Sequence, residues 1–166
     1  MSAQLVATAQ DVADVTRLLG REPAGRFEVV VRRSDGSPVV ILNAPRLDDG
    51  TPMPTLLWLV DPELTRQVAR IESGGGVRRI EQLVDADALA AAHDDYAARR
   101  DALLDAAPGP APSGGVGGTR HGVKCLHAHL ANLLAGADDP VGRVVAAEVV
   151  LGDLVPPPPV HDRLSP

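Results

Sequence analysis

The chain has 166 residues, the size of one domain with tails, and its 21 Val, 20 Leu, 3 Ile and 1 Phe are enough aliphatic side chain to bury a core. With 22 acidic against 16 basic residues the net charge is -6, which opposes non-specific binding to nucleic acid or an anionic membrane. Met1 to Gln10 has no basic start, the longest strongly apolar run is Leu56 to Val60, and Cys125 is the single cysteine. These features exclude an internal disulfide and lead us to expect a cytoplasmic protein without signal peptide or membrane span.

Thr8 followed by Asp11 has the form of a capping box, Val12, Val15, Leu18 and Leu19 share a helical face, and Gly20 stands where a C-terminal cap belongs. A first helix is expected at 9–19. Phe27 to Arg33 and Val39 to Leu42 flank an Asp35-Gly36 turn signal and predict a hairpin. Pro45, Pro52 and Pro54 break the chain after the hairpin, and Thr55 to Val60 reads as a third strand, with Trp58 as a core anchor. Asp61-Pro62-Glu63 opens a helix that Gly74-Gly75-Gly76 stops. Val77 to Val84 fits a short strand or a helical start. Asp87 to Leu104 is a long helix in which His93-Asp94-Asp95 reads as a solvated face. Residues 106–119, rich in Pro and Gly, read as a mobile linker. Helices are expected at Val123 to Ala135 and from Asp139-Pro140 to near Leu151, before a disordered, Pro-rich tail at 152–166.

Chemistry concentrates in one segment. No acid occurs between Asp105 and Asp138, a stretch that holds Arg120, His121, Lys124, His127 and His129. The run Gly114-Gly115-Val116-Gly117-Gly118 leads toward a predicted helix start, an arrangement in which free N-H groups hold an anion. The alternative is that these glycines only join two helices. It is not an ATPase P-loop, because Val123-Lys124-Cys125 stands where Lys then Ser or Thr is needed. Arg46, between prolines, is a second candidate anion clamp. On a helix beginning at Val123, His121, Cys125 and His129 fall at i, i+4 and i+8. Only neighbouring pairs can then share an ion, since eight residues rise about 12 Å. We therefore expect no metal site. On the same helix His127 points about 200° away from Cys125 and sits at the core edge, bonded to a backbone carbonyl. Cys125 reads as a packed cysteine, or as an accessible thiol that Lys124 would bias toward thiolate.

Three blocks carry a family resemblance: Leu19-Gly20-Arg21-Glu22-Pro23; Ala44-Pro45-Arg46-Leu47 with Asp49-Gly50-Thr51-Pro52 through Leu59; and Gly122-Val123-Lys124-Cys125-Leu126-His127-Ala128-His129 with Asp139-Pro140-Val141-Gly142. In these the chain resembles the DUF501 family of bacterial proteins, frequent in actinobacteria, over about residues 10 to 150. That resemblance implies no established activity and no catalytic residues. Its members often lie in the genome near a septum-formation-initiator protein and an exopolyphosphatase. Arg33 stands where many relatives carry Cys, and Met53 where many carry Phe.

The expectation is an α+β domain over 9–151, with a small, largely antiparallel sheet of three or four strands covered by about five helices. Its function is expected to be binding of a phosphate-bearing small molecule through Arg46, Gly117, Gly118, Arg120, His121 and Lys124. Cys125, His127 and His129 form a second functional cluster, with no cofactor, no nucleic acid and no membrane partner. The alternative is a non-catalytic adaptor tied to cell-division or envelope proteins.

Overall fold

The computed structural model describes residues 5–105 and 109–155. Six α-helices and a four-stranded sheet lie along the chain: α1 (Ala9–Leu19), β1 (Phe27–Arg33), β2 (Pro38–Asn43), β3 (Leu57–Leu59), α2 (Pro62–Ser73), α3 (Gly76–Leu83), α4 (Ala86–Asp101), α5 (Leu126–Leu134), α6 (Pro140–Glu148) and β4 (Leu154–Val155). A 3-10 turn, Val116–Gly118, lies between α4 and α5. The sheet order is β3-β2-β1-β4 and every pairing is antiparallel. This is the expected α+β architecture. Among the described residues no helix is long and apolar enough to cross a membrane.

Local signals set most of the boundaries. The Thr8 hydroxyl accepts from the Asp11 N-H and the Asp11 carboxylate accepts from the Thr8 N-H, so the capping box that begins α1 is complete. Asp61 caps α2 by accepting from the Leu64 N-H at 2.8 Å, with Pro62 at the first helical position. Its other carboxylate oxygen accepts from Arg33 Nε at 2.9 Å, which ties the start of α2 to β1. The ambiguous 77–84 segment is the helix α3. The third strand is shorter than expected, and the long helix stops at Asp101.

Both faces of the sheet are covered. Phe27, Val29 and Ile41 pack with Val15 and Val60 beneath α1. Val31, Val40 and Leu57 pack with Leu64, Tyr96, Val116, Ala128 and Ala131 on the side of α2, α4 and α5. Burial on two faces explains why β1 and β2 read as near-continuous apolar runs instead of alternating ones. Trp58, expected as a core anchor, is only half-buried and lies under the Arg21 guanidinium, 5.7 Å from the ring centroid. A second apolar cluster, with Val68, Ile80, Leu89, Leu126, Leu130, Val141 and Val145, joins the helices to one another.

Two segments expected to be loose are ordered in part. Residues 106–108 lie outside the described residues, but from Gly109 onward the expected linker is a packed loop in which Pro112, Gly115 and Val116 are buried. Residues 156–166 also lie outside them, whereas Leu154 and Val155 pair with Arg33 and Arg32 as an edge strand.

Tyr96 couples the helical layer to the sheet: its fully buried hydroxyl accepts from the N-H groups of Leu56 at 2.7 Å and Leu57 at 3.3 Å. Tyr96→Phe removes that acceptor while keeping the ring. We expect chemical denaturation to show a loss of about 1–3 kcal/mol, the cost of leaving buried donors without their partner.

Candidate functional site

Helix α4 presents Leu89, Ala92, His93, Tyr96 and Arg100 on one buried face. The spacing is that of an ordinary apolar stripe, but two members are polar. His93, expected on a solvated face, is 4 % exposed. Its Nδ1 accepts from the Val116 N-H at 3.0 Å and its Nε2 lies 3.0 Å from the Gly122 carbonyl. The first contact requires a bare Nδ1, so the proton sits on Nε2 and is donated to Gly122. Arg100, 2 % exposed, donates to the Gly114 carbonyl at 2.5 Å. The glycine-rich loop is thus wrapped around two buried side chains of α4. A Cβ on Gly115 would stand 2.5 Å from the His93 ring, so only glycine fits there. Gly122 has φ +66, and a Cβ on it would meet the Glu81 carboxylate at 2.8 Å.

This arrangement corrects the expected anion cradle. Gly117 and Gly118 belong to the 3-10 turn, with φ +69 and +76, and do not run into a helix. Helix α5 begins at Leu126, with Cys125 as an N-cap that makes no side-chain cap bond. The acceptor at this helix start is Glu72 of α2, whose Oε1 receives the Leu126 N-H at 2.7 Å. A carboxylate therefore occupies the position that a phosphate would take. Lys124 is exposed in the coil before the helix, not one turn inside it.

The remaining predicted anion residues separate into two places. Arg120 and His121 are exposed and line a cavity of about 300 Å³ with Glu81, Val84, Leu89 and His93. The turn that carries them is braced locally, the Thr119 hydroxyl donating to the His121 carbonyl at 2.8 Å. Arg46 is not among the residues of that cavity. Its guanidinium donates to the carbonyls of Gly109 at 3.0 Å and Pro110 at 3.3 Å and pairs with Asp105 at 3.2 Å.

The histidines of α5 divide in the same way. His129, expected near Cys125, is fully buried with Asp139 and Asn132. Its Nδ1 lies 2.9 and 3.0 Å from the two Asp139 carboxylate oxygens, Asn132 Nδ2 donates to the same carboxylate at 2.9 Å, and the Gly142 N-H donates at 2.8 Å. Burial pushes the Asp139 carboxyl up, but these donors outweigh it and hold the group below the usual carboxylate range. Asn132 Oδ1 accepts from Arg99 at 2.5 Å, and the His93 and His129 rings meet edge to face at 5.8 Å.

His127 is the core-edge histidine that the sequence suggests, with Nε2 3.0 Å from the Thr65 carbonyl. It does not point away from Cys125. Because Cys125 is extended and outside the helix, its Sγ reaches to 3.9 Å from His127 Nδ1. Glu72 Oε1 is 3.2 Å from the same nitrogen. The Cys125 sulfur, then, against the cost of burial, the Thr65 carbonyl and the Glu72 carboxylate, raise His127 to about 9. Glu72 is the residue that sequence reading misses. It lies 53 positions from Cys125, and no local pattern marks it.

The family model described as a protein of unknown function, DUF501, matches residues 29–147. No curated protein and no solved structure matches the chain.

Burial holds His93 neutral, and its folded-state value lies below the ordinary one. The unfolded chain therefore takes up a proton first at this residue, near pH 6.5, and the stability that His93 contributes falls as the pH drops below that point. The depressed Asp139 carboxyl adds a second loss at lower pH, below about 3.9. His127, raised to about 9, contributes in the opposite sense over the same range, so the His93 effect is read as a difference between two proteins. Denaturation at pH 7.5 and at pH 5.5 should show His93→Gln, which cannot titrate, less stable than wild type at pH 7.5, with the gap narrower at pH 5.5. A gap of equal size at both pH values would mean that His93 carries none of the pH dependence.

Proposed function

Because the chain belongs to the DUF501 family, whose description assigns no activity, we propose a function on physical grounds: binding of a small phosphorylated molecule in the cavity lined by Arg120 and His121. The observation that carries this reading is the state of those two side chains. Among the described residues most arginines pair with an acid, as Arg32 does with Asp11, Arg33 with Asp61 and Arg79 with Glu148. Among those same residues Arg120 makes no such pair and projects with His121 at one cavity. The backbone behind them is held by His93, Thr119 and Gly122, so little ordering entropy remains to be lost on binding.

The wall chemistry narrows the ligand. Glu81 lines the same cavity, and Val84 and Leu89 give it an apolar side. A bare phosphate would meet the Glu81 carboxylate at a cost. A phosphorylated molecule that also carries a hydroxyl or amino group offers Glu81 a donor while Arg120 and His121 take the phosphate. Arg46, Gly117, Gly118 and Lys124 have no part in this version of the site. We place its action in the cytoplasm, as the single cysteine suggests.

Calorimetric titration with phosphoethanolamine, which carries both a phosphate and an amino group, tests the reading. Wild type should bind, and Arg120→Glu should weaken binding at least tenfold with an unchanged melting curve. Lys124→Glu should change binding only by the few-fold that a screened charge outside the cavity lining produces. No binding by wild type, or equal binding by Arg120→Glu, overturns the proposal.

A further inference from the structure

We propose that Glu72, Cys125 and His127 form a binding site for a divalent transition-metal ion of the zinc type, with a water as fourth ligand. None of the three lines the Arg120 cavity, so this inference does not rest on the anion reading. Among the described residues, one thiol, one imidazole and one carboxylate place their donor atoms all within 4.8 Å of one another. A tetrahedral zinc ion, with bonds of roughly 2.0–2.3 Å, sets its nitrogen and oxygen ligands about 3.3 Å apart and its nitrogen and sulfur ligands about 3.6 Å apart. The observed separations are 3.2 Å from His127 Nδ1 to Glu72 Oε1 and 3.9 Å from His127 Nδ1 to Cys125 Sγ. Shifts of a few tenths of an ångström would bring these two pairs to tetrahedral separations, and the Cys125 and Glu72 donor atoms, within 4.8 Å of each other, would draw together by at most about 1.2 Å.

The surroundings prepare these atoms for the role. The Thr65 carbonyl, 3.0 Å from His127 Nε2, can only accept. It therefore fixes the ring proton on Nε2 and leaves the Nδ1 lone pair for the centre. The Leu126 N-H steadies the Glu72 carboxylate at 2.7 Å. That is the outer layer expected around metal ligands, a backbone carbonyl behind the imidazole and a backbone donor on the carboxylate. With no metal ion between them, a proton on Nδ1 bridges to the facing carboxylate oxygen, and a zinc ion would displace that proton. Sulfur and nitrogen donors select zinc, cobalt or nickel over magnesium or calcium. All three residues are half-buried, which leaves room for water at the fourth position, the open form of zinc site.

The sequence-based expectation of no metal requires Cys125 to lie inside α5, with His121 or His129 as its neighbour. Neither condition holds, because the helix begins one residue after Cys125 and the third ligand comes from α2.

Purified full-length protein, stripped with chelator, is titrated with zinc alone by calorimetry and with cobalt alone by absorption. Wild type should take up one ion per chain and show the thiolate-to-cobalt charge-transfer band with four-coordinate d–d bands. Cys125→Ser should abolish the charge-transfer band. Glu72→Gln, which still accepts the Leu126 N-H through its amide oxygen, should weaken zinc binding at least tenfold. His121→Ala should leave binding unchanged. Should Cys125→Ser fail to fold, the wild-type cobalt spectrum together with Glu72→Gln decides the matter. Absence of stoichiometric zinc, a cobalt spectrum without thiolate character, or full affinity in Glu72→Gln overturns the proposal.

Discussion

The carboxylate of Asp139 holds three helices and, through them, the loop that bears the candidate site. It is fully buried, caps α6 through Gly142 and binds His129 and Asn132 of α5. Asn132 passes the connection to Arg99 of α4, and His129 passes it to the ring of His93. His93 then fixes the loop at Val116 and Gly122. A buried carboxylate with its donors is weak evidence for net stability, since desolvation offsets most of the attraction. Its contribution is orientation, because removing one partner strands a charge at a cost of several kcal/mol, so alternative packings of α4, α5 and α6 are excluded. His129 Nε2 marks the cost of the arrangement: among the described residues it is the one buried side-chain polar atom without a hydrogen-bond partner.

The two chemistries proposed for the molecule are consequences of how the segment from Gly114 to His127 is pinned. One end is wrapped on α4 by His93 and Arg100, which presents Arg120 and His121 at a fixed place. The other end is stopped by Glu72, which takes the first free N-H of α5 and so delays the helix until Leu126. That delay turns the Cys125 side chain toward His127. Had the helix begun three residues earlier, the two side chains would lie on different faces and the thiol would have no imidazole beside it.

How much the sequence makes legible depends on the range of the forces involved. The capping box of α1, the Asp61-Pro62 start of α2 and the Asp35-Gly36 hairpin are local in sequence, and each stands where composition and spacing put it. The acid-free segment points to the stretch around Arg120 to His129, where both proposed sites draw residues. Its internal geometry is not readable from the segment itself, because the groups that shape it come from elsewhere: Glu72 from α2, Glu81 from α3, His93 and Arg100 from α4, and Asp139 from the start of α6. His93 is misread because a polar side chain on an Ala-rich helix suggests solvent. The better signal is the repeat of Leu89, His93, Tyr96 and Arg100 at helical spacing, with two partners needed for the polar members.

A buried, neutral His93 and a His129 bound to Asp139 order the loop, and the tautomers of the two rings report it directly. Long-range nitrogen–proton correlation spectra of the histidine rings at pH 7 should show His93 with its proton on Nε2 and Nδ1 bare, and His129 protonated on Nδ1. A His93 ring carrying its proton on Nδ1, or a doubly protonated His93, could not accept from the Val116 N-H, and the loop would have to be held in another way.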